Sequence, residues 1–461
     1  MKIGALIERG PADWQILQQQ NGAADVFLEG SYVVPPGREL QAPTVFVRIV
    51  WEDSGALVRW WQPAETDSTG HWRAAIRDVP AGGLYRLETC LAERDCEALE
   101  WQPRGDMVHH FGIGDLFLIA GQSNSAGYGR DSAFDPPELG VHLLRNSGRW
   151  DLASHPFNDS TGSSRQELLE GSNPGSSPYL SFGKTLMRRL HYPIGFLQAA
   201  LGGSPLSAWD PGEDGWLYRN MLEVLRTGGG RAAGVLWYQG CTDADQSRGN
   251  DYLQRFRRMV DSLRRETEQP LPFLTFQLNR CTSPSSASLD LEWGLVREAQ
   301  RQASRQLENV WVLPTTDCGL SDGIHNRGSA NLLLGERLAD AAFLHLYGFE
   351  CVGDAPDLED AVLEDPIHLR LRFSNVKDRL YDFDADPEKI GFTVTDHAGA
   401  VSATEMLFQG TEVLLTLERP VQEDCRVSGG WQQDPAGILP IDFATHLPIL
   451  SFCDVEVRRA Y

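Results

Sequence analysis

Between about residues 111 and 350 the sequence alternates near-continuous apolar runs with amphipathic segments, and this alternation restricts the fold more than any other feature. The segments between the runs place apolar residues at helical spacing. Strands that are apolar along their whole length are buried on both faces, as in a parallel sheet covered by helices. The sequence therefore predicts an α/β domain built on a mainly parallel sheet. The apolar runs are Asp115–Ala120, Ile194–Leu201, Ala233–Gly240, Pro272–Leu278 and Asn309–Pro314.

The stretches on either side of this region have a different pattern. They contain short runs rich in β-branched and aromatic residues, separated by turn sequences such as Pro35-Pro36-Gly37. We expect an N-terminal β-sandwich, immunoglobulin-like or similar, over residues 1–110, and a C-terminal β-rich region over residues 351–461. A chain of 461 residues is also too long for one ordinary core. Four tryptophans of the first stretch fit either a buried core or a sugar-stacking platform: Trp51, Trp60, Trp61 and Trp72.

The composition excludes several classes of partner. The 64 acidic and 41 basic residues give a formal net charge of -23, which repels phosphate backbones and anionic lipid surfaces. We therefore expect neither a nucleic acid nor a membrane partner. The N-terminal residues lack the apolar core and cleavage site of a signal peptide, so we expect a cytoplasmic protein. The sequence leaves the oligomeric state open, with a homodimer among the alternatives.

The eight cysteines are widely spaced and form no CxxC pair. In a large chain without an export signal, this spacing favours free thiols over disulfides or a zinc site.

The sequence GQSNSAG, residues 121–127, follows the first apolar run and places Ser123 close after a buried strand. Ligands of parallel sheets collect at the carboxyl ends of the strands. A serine hydroxyl becomes a nucleophile when a base removes its proton and a carboxylate orients the base. A serine here also fits a helix cap, and the two roles are compatible. A helix starting at Ser123 would direct backbone N–H groups at an oxygen beside the hydroxyl, as half of an oxyanion hole.

The sequence SDGIHNRG, residues 321–328, follows the last apolar run and supplies a base. The spacing of Asp322 and His325 lets one turn present both side chains, with the carboxylate at Nδ1 and with Nε2 free for a nucleophile. Alone, the pair is a weak signal, and it better fits a helix cap or turn residue followed by an exposed histidine. Together with Ser123 it predicts an acid–base pair.

Two further strand ends carry candidate hydrogen-bond donors. Gly202 and Gly203 follow the second run, and a glycine lets its backbone N–H approach a ligand closely. Gln239 follows the third run, and its side-chain amide can donate to a developing oxyanion. Each feature alone also fits an ordinary turn or a polar loop residue. Four strand ends with such groups together predict a site for nucleophilic catalysis.

The blocks GQSNSAG, GGSPLSAW, WYQGCTDA and SDGIHNRGSA, in this order, resemble the sialate O-acetylesterase-like branch of the SGNH hydrolases. This branch includes acetylxylan esterases of carbohydrate esterase family six. The resemblance covers about residues 112–345. It implies a three-layer α/β/α hydrolase domain that removes O-acetyl groups from a sugar or oligosaccharide through an acetyl-enzyme intermediate. It implies no metal and no organic cofactor.

The resemblance also assigns roles to residues. Ser123 would be the nucleophile, His325 the base and then the acid, and Asp322 the residue that orients the imidazole. The N–H groups of Ser123 and Gly203 and the amide of Gln239 would form the oxyanion hole. The candidate substrate-binding residues are Gln122, Asn124, Gly202 and Trp209.

One position departs from the family pattern. The third block commonly reads WYQGE, and here Cys241 stands where the family has glutamate. A neutral thiol supplies neither the charge nor the acceptor strength of a carboxylate. Three alternatives stay open: Asp243 or Asp245 substitutes for the glutamate, the activity is low or redirected, or Cys241 itself is the nucleophile, although no base lies beside it in sequence.

The substrate also stays open between xylan-type and sialate-type glycans. A sialic acid would need a cation for its carboxylate, for which Arg130, Arg219 and Arg248 are candidates. Besides a carbohydrate O-acetylesterase, the sequence leaves two alternatives. They are an esterase for unrelated small esters and a glycan-binding protein on an inactive hydrolase scaffold.

Overall fold

The structure is a computed structural model that describes residues 3–160, 162–163, 166–172, 174–381, 389–435 and 439–460. Parts of the two predicted terminal regions, residues 1–2, 382–388, 436–438 and 461, lie outside the described residues. In the part that is described, no helix is long and apolar enough to cross a membrane.

The first part of the chain consists of β-strands that pair mainly antiparallel. Strands β1, β3, β7 and β6 form one sheet in that order, and β4, β5 and β8 form a second sheet with β9. Both sheets contribute to one core, which includes Val26, Val47 and Ile76. The strands are β1 (Gly4–Arg9), β2 (Ile16–Gln18), β3 (Ala23–Val33), β4 (Pro43–Trp51), β5 (Leu57–Pro63), β6 (Glu65–Thr66), β7 (His71–Pro80), β8 (Gly82–Glu93) and β9 (Arg104–Gly121).

Strand β9 joins this part of the chain to the central sheet. Its first half pairs with β8, and its second half, from Asp115 onward, lies in the central sheet. The boundary that the sequence analysis places between residues 110 and 111 therefore falls inside one continuous strand. No linker separates the two regions at this point, because β9 belongs to the sheets of both.

The central part alternates strands and helices. Strands β10, β12, β9, β13, β14 and β15 lie parallel in that order, and β11 pairs antiparallel with β10 at the edge. The elements are α1 (Ser123–Ala126), β10 (Val141–Leu144), β11 (Trp150–Leu152), α2 (Tyr179–Leu190), β12 (Ile194–Gln198), α3 (Leu206–Trp209), α4 (Trp216–Thr227), β13 (Gly234–Tyr238), α5 (Cys241–Asp245), α6 (Tyr252–Thr267), β14 (Phe273–Phe276), α7 (Ala287–Gln306), β15 (Val310–Leu313) and α8 (Gly328–His345).

Successive residues of the central strands pack on opposite faces of the sheet, as a period of two requires. Leu116 and Leu118 belong to the core that α4, α6 and α7 cover. Phe117 and Ile119 belong to the core that α2 and α8 cover. The central part is therefore an α/β domain, and its strands are apolar along their length because both faces are buried.

The C-terminal part returns to strands and packs against α7. Its core includes Leu371, Val413 and Phe452. The buried guanidinium of Arg297 on α7 donates to the carbonyl oxygen of Gly430 over 2.9 Å. The strands are β16 (Asp357–Asp365), β17 (His368–Ser374), β18 (Leu380–Tyr381), β19 (Phe392–Asp396), β20 (Gly399–Val401), β21 (Ala403–Gln409), β22 (Glu412–Leu417), β23 (Arg426–Gly429), β24 (Ile441–Asp442), β25 (Phe452–Glu456) and β26 (Arg458–Arg459).

The four N-terminal tryptophans are divided between the core and the surface. Trp61 and Trp72 are buried, with 5% and 3% of their surface exposed, whereas Trp60 is 53% exposed. Trp51 is 36% exposed and packs edge-on against Tyr85. These tryptophans therefore do not present one continuous aromatic face.

Candidate active site

Ser123 lies where β9 leaves the central sheet. Gly121 has a φ of +120°, and a Cβ there would lie 2.3 Å from the carbonyl oxygen of Tyr238, so only glycine fits this exit. The N–H of Gln122 donates to the same carbonyl oxygen over 2.9 Å. The backbone then turns sharply into α1. This local geometry places the Ser123 side chain at the carboxyl edge of the sheet.

Helix α1 is a single turn of four residues, so it has little dipole to direct at Ser123. The useful donors are instead individual backbone N–H groups. Among the residues that the structure describes, the N–H groups of Ser123 and Gly203 have no acceptor. Gly203 has a φ of +68°, a left-handed conformation in its turn after β12. Both groups are available to an oxygen atom that enters the site.

His325 and Asp322 lie in the loop between β15 and α8. The Oδ1 atom of Asp322 accepts hydrogen bonds from the backbone N–H groups of Ile324 and His325 over 2.9 and 2.8 Å. Its Oδ2 atom lies 2.7 Å from Nδ1 of His325. The carboxylate thus closes the turn and orients the imidazole at the same time, as the Asp-x-x-His spacing predicts.

The structure brings this pair to Ser123, which is 202 residues away in sequence. The Nε2 atom of His325 lies 2.9 Å from Oγ of Ser123. When Nδ1 carries the proton that Asp322 accepts, Nε2 is an acceptor for the serine hydroxyl. The geometry is therefore able to transfer the hydroxyl proton to the imidazole.

Asp322 is kept ionised by its partners. Burial alone would raise the pKa of this carboxyl, but hydrogen bonds from the His325 side chain and from the N–H groups of Ile324 and His325 outweigh it. The pKa of Asp322 is therefore lowered from its usual value. A carboxyl of this kind loses its charge only as the pH falls through the lowered pKa, so the ion supports the imidazole at neutral pH.

Gln122 and Asn124, which we expected to bind substrate, make hydrogen bonds within the protein. Asn124 accepts from the N–H of Asn326 over 3.0 Å and donates to the carbonyl oxygen of Ile324. Gln122 accepts from the N–H of Gly240 over 2.9 Å. Both side chains are buried. They hold the loops of the site together, and their hydrogen bonds explain why these amides flank the serine.

Trp209, which we also expected to bind substrate, lies in the core. Its side chain is 0% exposed, and its indole N–H donates to Oγ of Ser204 over 3.0 Å. It packs edge-on against Trp237 at 5.3 Å between ring centroids. A sugar cannot reach a ring that is enclosed in the core.

Gln239 has a different environment from the one expected. Its side chain is buried, and its amide nitrogen donates to Asp243 over 2.5 Å and to the carbonyl oxygen of Ser204 over 3.2 Å. Both amide protons are thus used within the protein. In this arrangement Gln239 does not offer a donor to an oxyanion, and it instead ties the turn after β12 to α5.

Asp243, two residues after Cys241, places a carboxylate in this part of the site. The buried Asp243 accepts from Arg255 over 2.7 Å, from the N–H of Leu206 and from Gln239. Asp245 is exposed and takes no part in this network. Cys241 is 3% exposed, and burial raises the pKa of its thiol well above the usual value. A buried, protonated thiol is a poor nucleophile.

With this geometry known, comparisons with other proteins identify the family. The profile of the family described as carbohydrate esterase, sialic acid-specific acetylesterase, matches residues 113–344, half of the chain. The chain belongs to this family. It is therefore a carboxylic ester hydrolase of the carbohydrate esterase class.

A sequence relative and a solved structure differ in how much of the chain they match. A probable carbohydrate esterase of Arabidopsis thaliana is 30% identical over 250 residues, which are 49% of this chain and 89% of that protein. The crystal structure of a carbohydrate acetylesterase from Xanthomonas citri covers 97% of this chain and 99% of its own, with a TM-score of 0.69 and 22% identity. The second likeness shows that the fold extends over almost the whole chain, including both flanking parts.

Two residues of the esterase site were not found by sequence reasoning. Glu170 accepts a hydrogen bond from the N–H of Gly202 and another from the hydroxyl of Tyr128. The Tyr128 ring stacks on His325 at 4.9 Å between centroids. The backbone N–H of Gly202, which we expected to bind substrate, thus donates to Glu170 instead. Glu170 lies in a segment without helical or strand periodicity, so the sequence carries no signal for it.

No set of three or more His, Cys, Asp or Glu side chains able to hold a metal ion occurs in the described part of the esterase.

Proposed function

We propose that the esterase removes O-acetyl groups from a sugar or oligosaccharide with Ser123 as its nucleophile. The observation that carries the proposal is the chain of contacts from Oγ of Ser123 to Nε2 of His325, at 2.9 Å, and from Nδ1 of His325 to Asp322, at 2.7 Å. Three side chains in this order activate a hydroxyl at neutral pH.

The reaction proceeds in two steps. The Oγ atom of Ser123 attacks the acetyl carbonyl carbon while Nε2 of His325 takes the hydroxyl proton. His325 then gives this proton to the departing sugar oxygen, which leaves an acetyl group on Ser123. Water attacks this ester with His325 again as the base, and the enzyme is regenerated. Asp322 fixes the tautomer and supports the positive charge on the imidazole in both steps.

The N–H groups of Ser123 and Gly203 stabilise the oxyanion that forms in each step. Loss of one such donor typically costs on the order of 10² to 10³ in kcat. Gln239 donates to the oxyanion only if substrate binding breaks the hydrogen bond from its amide to Asp243 or the one to the carbonyl oxygen of Ser204. The family relation supports an ester substrate, and the free N–H groups support acyl transfer.

The fold proposal is finer than the α/β class itself. We assign residues 111–350 to a three-layer domain of the SGNH hydrolase type, with a β-sandwich before it and a β-rich region after it. The two cores on opposite faces of the central sheet support the three layers.

The charge around the site bears on the type of glycan. Of the three candidate arginines, Arg248 pairs with Asp251 at 2.6 Å and with Glu213. Arg219 donates to the carbonyl oxygen of Asp214. Arg130 is exposed, and its guanidinium lies 5.5 Å from the Tyr128 ring that stacks on His325. Arg130 is therefore the candidate that lies beside the site.

The function is tested with a substrate panel. Acetylated xylo-oligosaccharides, O-acetylated sialic acid and p-nitrophenyl acetate are offered to the enzyme, and released acetate or p-nitrophenol is measured. We expect at least one acetylated sugar to be deacetylated with a higher kcat/KM than the aryl ester, because a carbohydrate site binds the sugar as well as the acetyl group. Hydrolysis of the aryl ester alone would instead favour an esterase for unrelated small esters.

Replacement of Cys241 separates the two candidate nucleophiles. We expect Cys241→Ala to keep kcat for p-nitrophenyl acetate within about threefold of the wild type, since a buried protonated thiol does not react. Iodoacetamide is expected to leave Cys241 unmodified in the native protein, as peptide mass spectrometry can check. Loss of nearly all activity in folded Cys241→Ala would assign the chemistry to the thiol.

A further inference from the structure

Glu170 connects two parts of the site that the proposed mechanism uses separately. Its carboxylate oxygens accept from the N–H of Gly202 over 3.0 and 3.1 Å. Its Oε2 atom also accepts from the hydroxyl of Tyr128 over 2.6 Å, and its Oε1 atom accepts from the side-chain amide of Asn158. One carboxylate thus receives donors from three separate segments of the chain.

These contacts use the acceptor capacity of the carboxylate. Three protein donors, the N–H of Gly202, the hydroxyl of Tyr128 and the amide of Asn158, occupy most of the about four lone-pair positions of an ionised carboxylate. These contacts are to groups that flank the reacting atoms, so the effect of Glu170 on the reaction passes through the groups that it holds.

The contact with Gly202 fixes the turn that carries one oxyanion donor. A Cβ at Gly202 would lie 2.5 Å from Oε2 of Glu170 and 3.0 Å from the Tyr128 hydroxyl oxygen, so only glycine allows the carboxylate to reach this backbone. The next residue, Gly203, has the left-handed φ of +68°. Its N–H, which has no acceptor among the described residues, takes its direction from this turn.

The contact with Tyr128 fixes the plane of the base. The Tyr128 ring lies at 29° to the His325 ring, with the centroids 4.9 Å apart. The loop that carries Tyr128 is also held through its backbone, because Gly129 and Ser176 exchange hydrogen bonds of 3.1 and 2.8 Å. The Tyr128 side chain is thus held at its hydroxyl by Glu170 and through the backbone pairing of Gly129, the next residue. The face of its ring lies against the imidazole.

The charge of Glu170 acts in the same direction. Burial raises the pKa of this carboxyl, while its hydrogen bonds and the positive charge of His325 oppose the rise. By the same interaction, an ionised Glu170 stabilises the imidazolium that forms when His325 takes the serine proton. Asp322 contacts this imidazole from its own loop, and the charge of Glu170 acts on it from the segment before α2.

We propose that Glu170 is a positioning residue of the esterase, which sets the Gly202–Gly203 turn and the Tyr128 ring so that the oxyanion donor and the base face the same substrate carbonyl. The proposal rests on the function proposed for Ser123 and His325. It extends the catalytic arrangement to the segment 166–172, which contacts no reacting atom itself.

The test compares Glu170→Gln with Glu167→Gln, a control that changes an exposed glutamate of the same segment. Three quantities are measured: kcat and KM for p-nitrophenyl acetate, the rate and final extent of Ser123 labelling by an organophosphonate, and the thermal unfolding midpoint. We expect Glu170→Gln to lower kcat by about 10- to 100-fold with KM within about threefold, because small displacements of reacting groups cost about this much. The labelling rate should fall in proportion, with a final extent of one label per chain.

The final extent of labelling separates positioning from folding. If Glu170 only supported folding, the labelled fraction would fall and kcat per labelled chain would stay at the wild-type value, which would overturn the proposal. Wild-type kcat in Glu170→Gln would overturn it as well. Ser123→Ala in the same assay separates failure of the Glu170 proposal from failure of the proposed function. An active Ser123→Ala enzyme would refute the proposed function itself. If Ser123→Ala is inactive and Glu170→Gln keeps the wild-type kcat, only the role proposed for Glu170 is refuted.

Tyr128→Phe keeps the test informative if Glu170→Gln does not fold. This variant keeps the ring and removes the hydroxyl, so we expect a smaller loss of kcat, about 3- to 10-fold, with complete labelling. Where both variants fold, their combined loss should be less than the product of the single losses, because they act through a shared contact. A Tyr128→Phe enzyme with wild-type kcat would contradict the role of the hydroxyl contact.

Discussion

Replacing Ser123 with alanine is expected to lower kcat for acetate release by about 10⁴- to 10⁶-fold, the range seen when a serine nucleophile of this type is removed. The reason is that Oγ of Ser123 is the atom that bonds to the acetyl carbon, and the nearby N–H groups and His325 cannot replace it. KM should change little, because the hydroxyl contributes little to ground-state binding. Steady-state kinetics with p-nitrophenyl acetate and an acetylated oligosaccharide measure both quantities.

Ser125→Ala is the matched control for this variant. Ser125 lies two residues further on, and its buried Oγ contacts the hydroxyl of Tyr179 at 2.6 Å and the carbonyl oxygen of Ala120 at 2.8 Å. Its loss should lower the unfolding free energy by about 1 to 3 kcal/mol and leave kcat within about threefold, since a buried hydrogen bond is lost and no reacting group moves. Equal and small effects of the two variants on kcat would remove Ser123 from the mechanism.

Replacing His325 with alanine is expected to cost nearly as much, about 10⁴- to 10⁶-fold in kcat, because the members of such a site act as a unit. Without the imidazole, no side chain described in the structure takes the proton from Oγ of Ser123, and the alcohol stays a weak nucleophile. The kinetic assay used for Ser123→Ala measures the loss, and the double variant should lose little more than either single variant.

The C-terminal part supplies an internal control for His325. His368 has the same local geometry: Asp365 Oδ1 accepts from its N–H over 3.0 Å, and Asp365 Oδ2 lies 2.6 Å from its Nδ1. The two side chains are about half exposed, and they lie where β16 ends and β17 begins, far along the chain from Ser123. His368→Ala should therefore leave kcat unchanged. A comparable loss in both histidine variants would point to stability rather than to proton transfer.

This second pair also shows what the sequence could predict. The Asp-x-x-His spacing forms the same turn at 365–368 and at 322–325, so the spacing predicts local geometry and not a catalytic role. What distinguishes His325 is its place after a parallel strand, at the edge where Ser123 also lies. Apolar runs reveal such strands, because a strand that is buried on both faces is apolar along its whole length.

The orientation of individual side chains depends on distant contacts and could not be predicted. Trp209 follows a strand end beside a motif, but it packs into the core against Trp237. Gln239 is at the predicted strand end, but Asp243 and Ser204 take its amide protons. Glu170 contacts Gly202, which lies 32 positions further along the chain. No periodicity in the sequence records these encounters.

The most direct test of the account is to locate the site of labelling by an organophosphonate with peptide mass spectrometry. We expect one adduct per chain, on Oγ of Ser123, with loss of esterase activity in proportion to labelling and greatly slowed labelling in His325→Ala. Complete inactivation with the adduct on Cys241 or on any other side chain would contradict it.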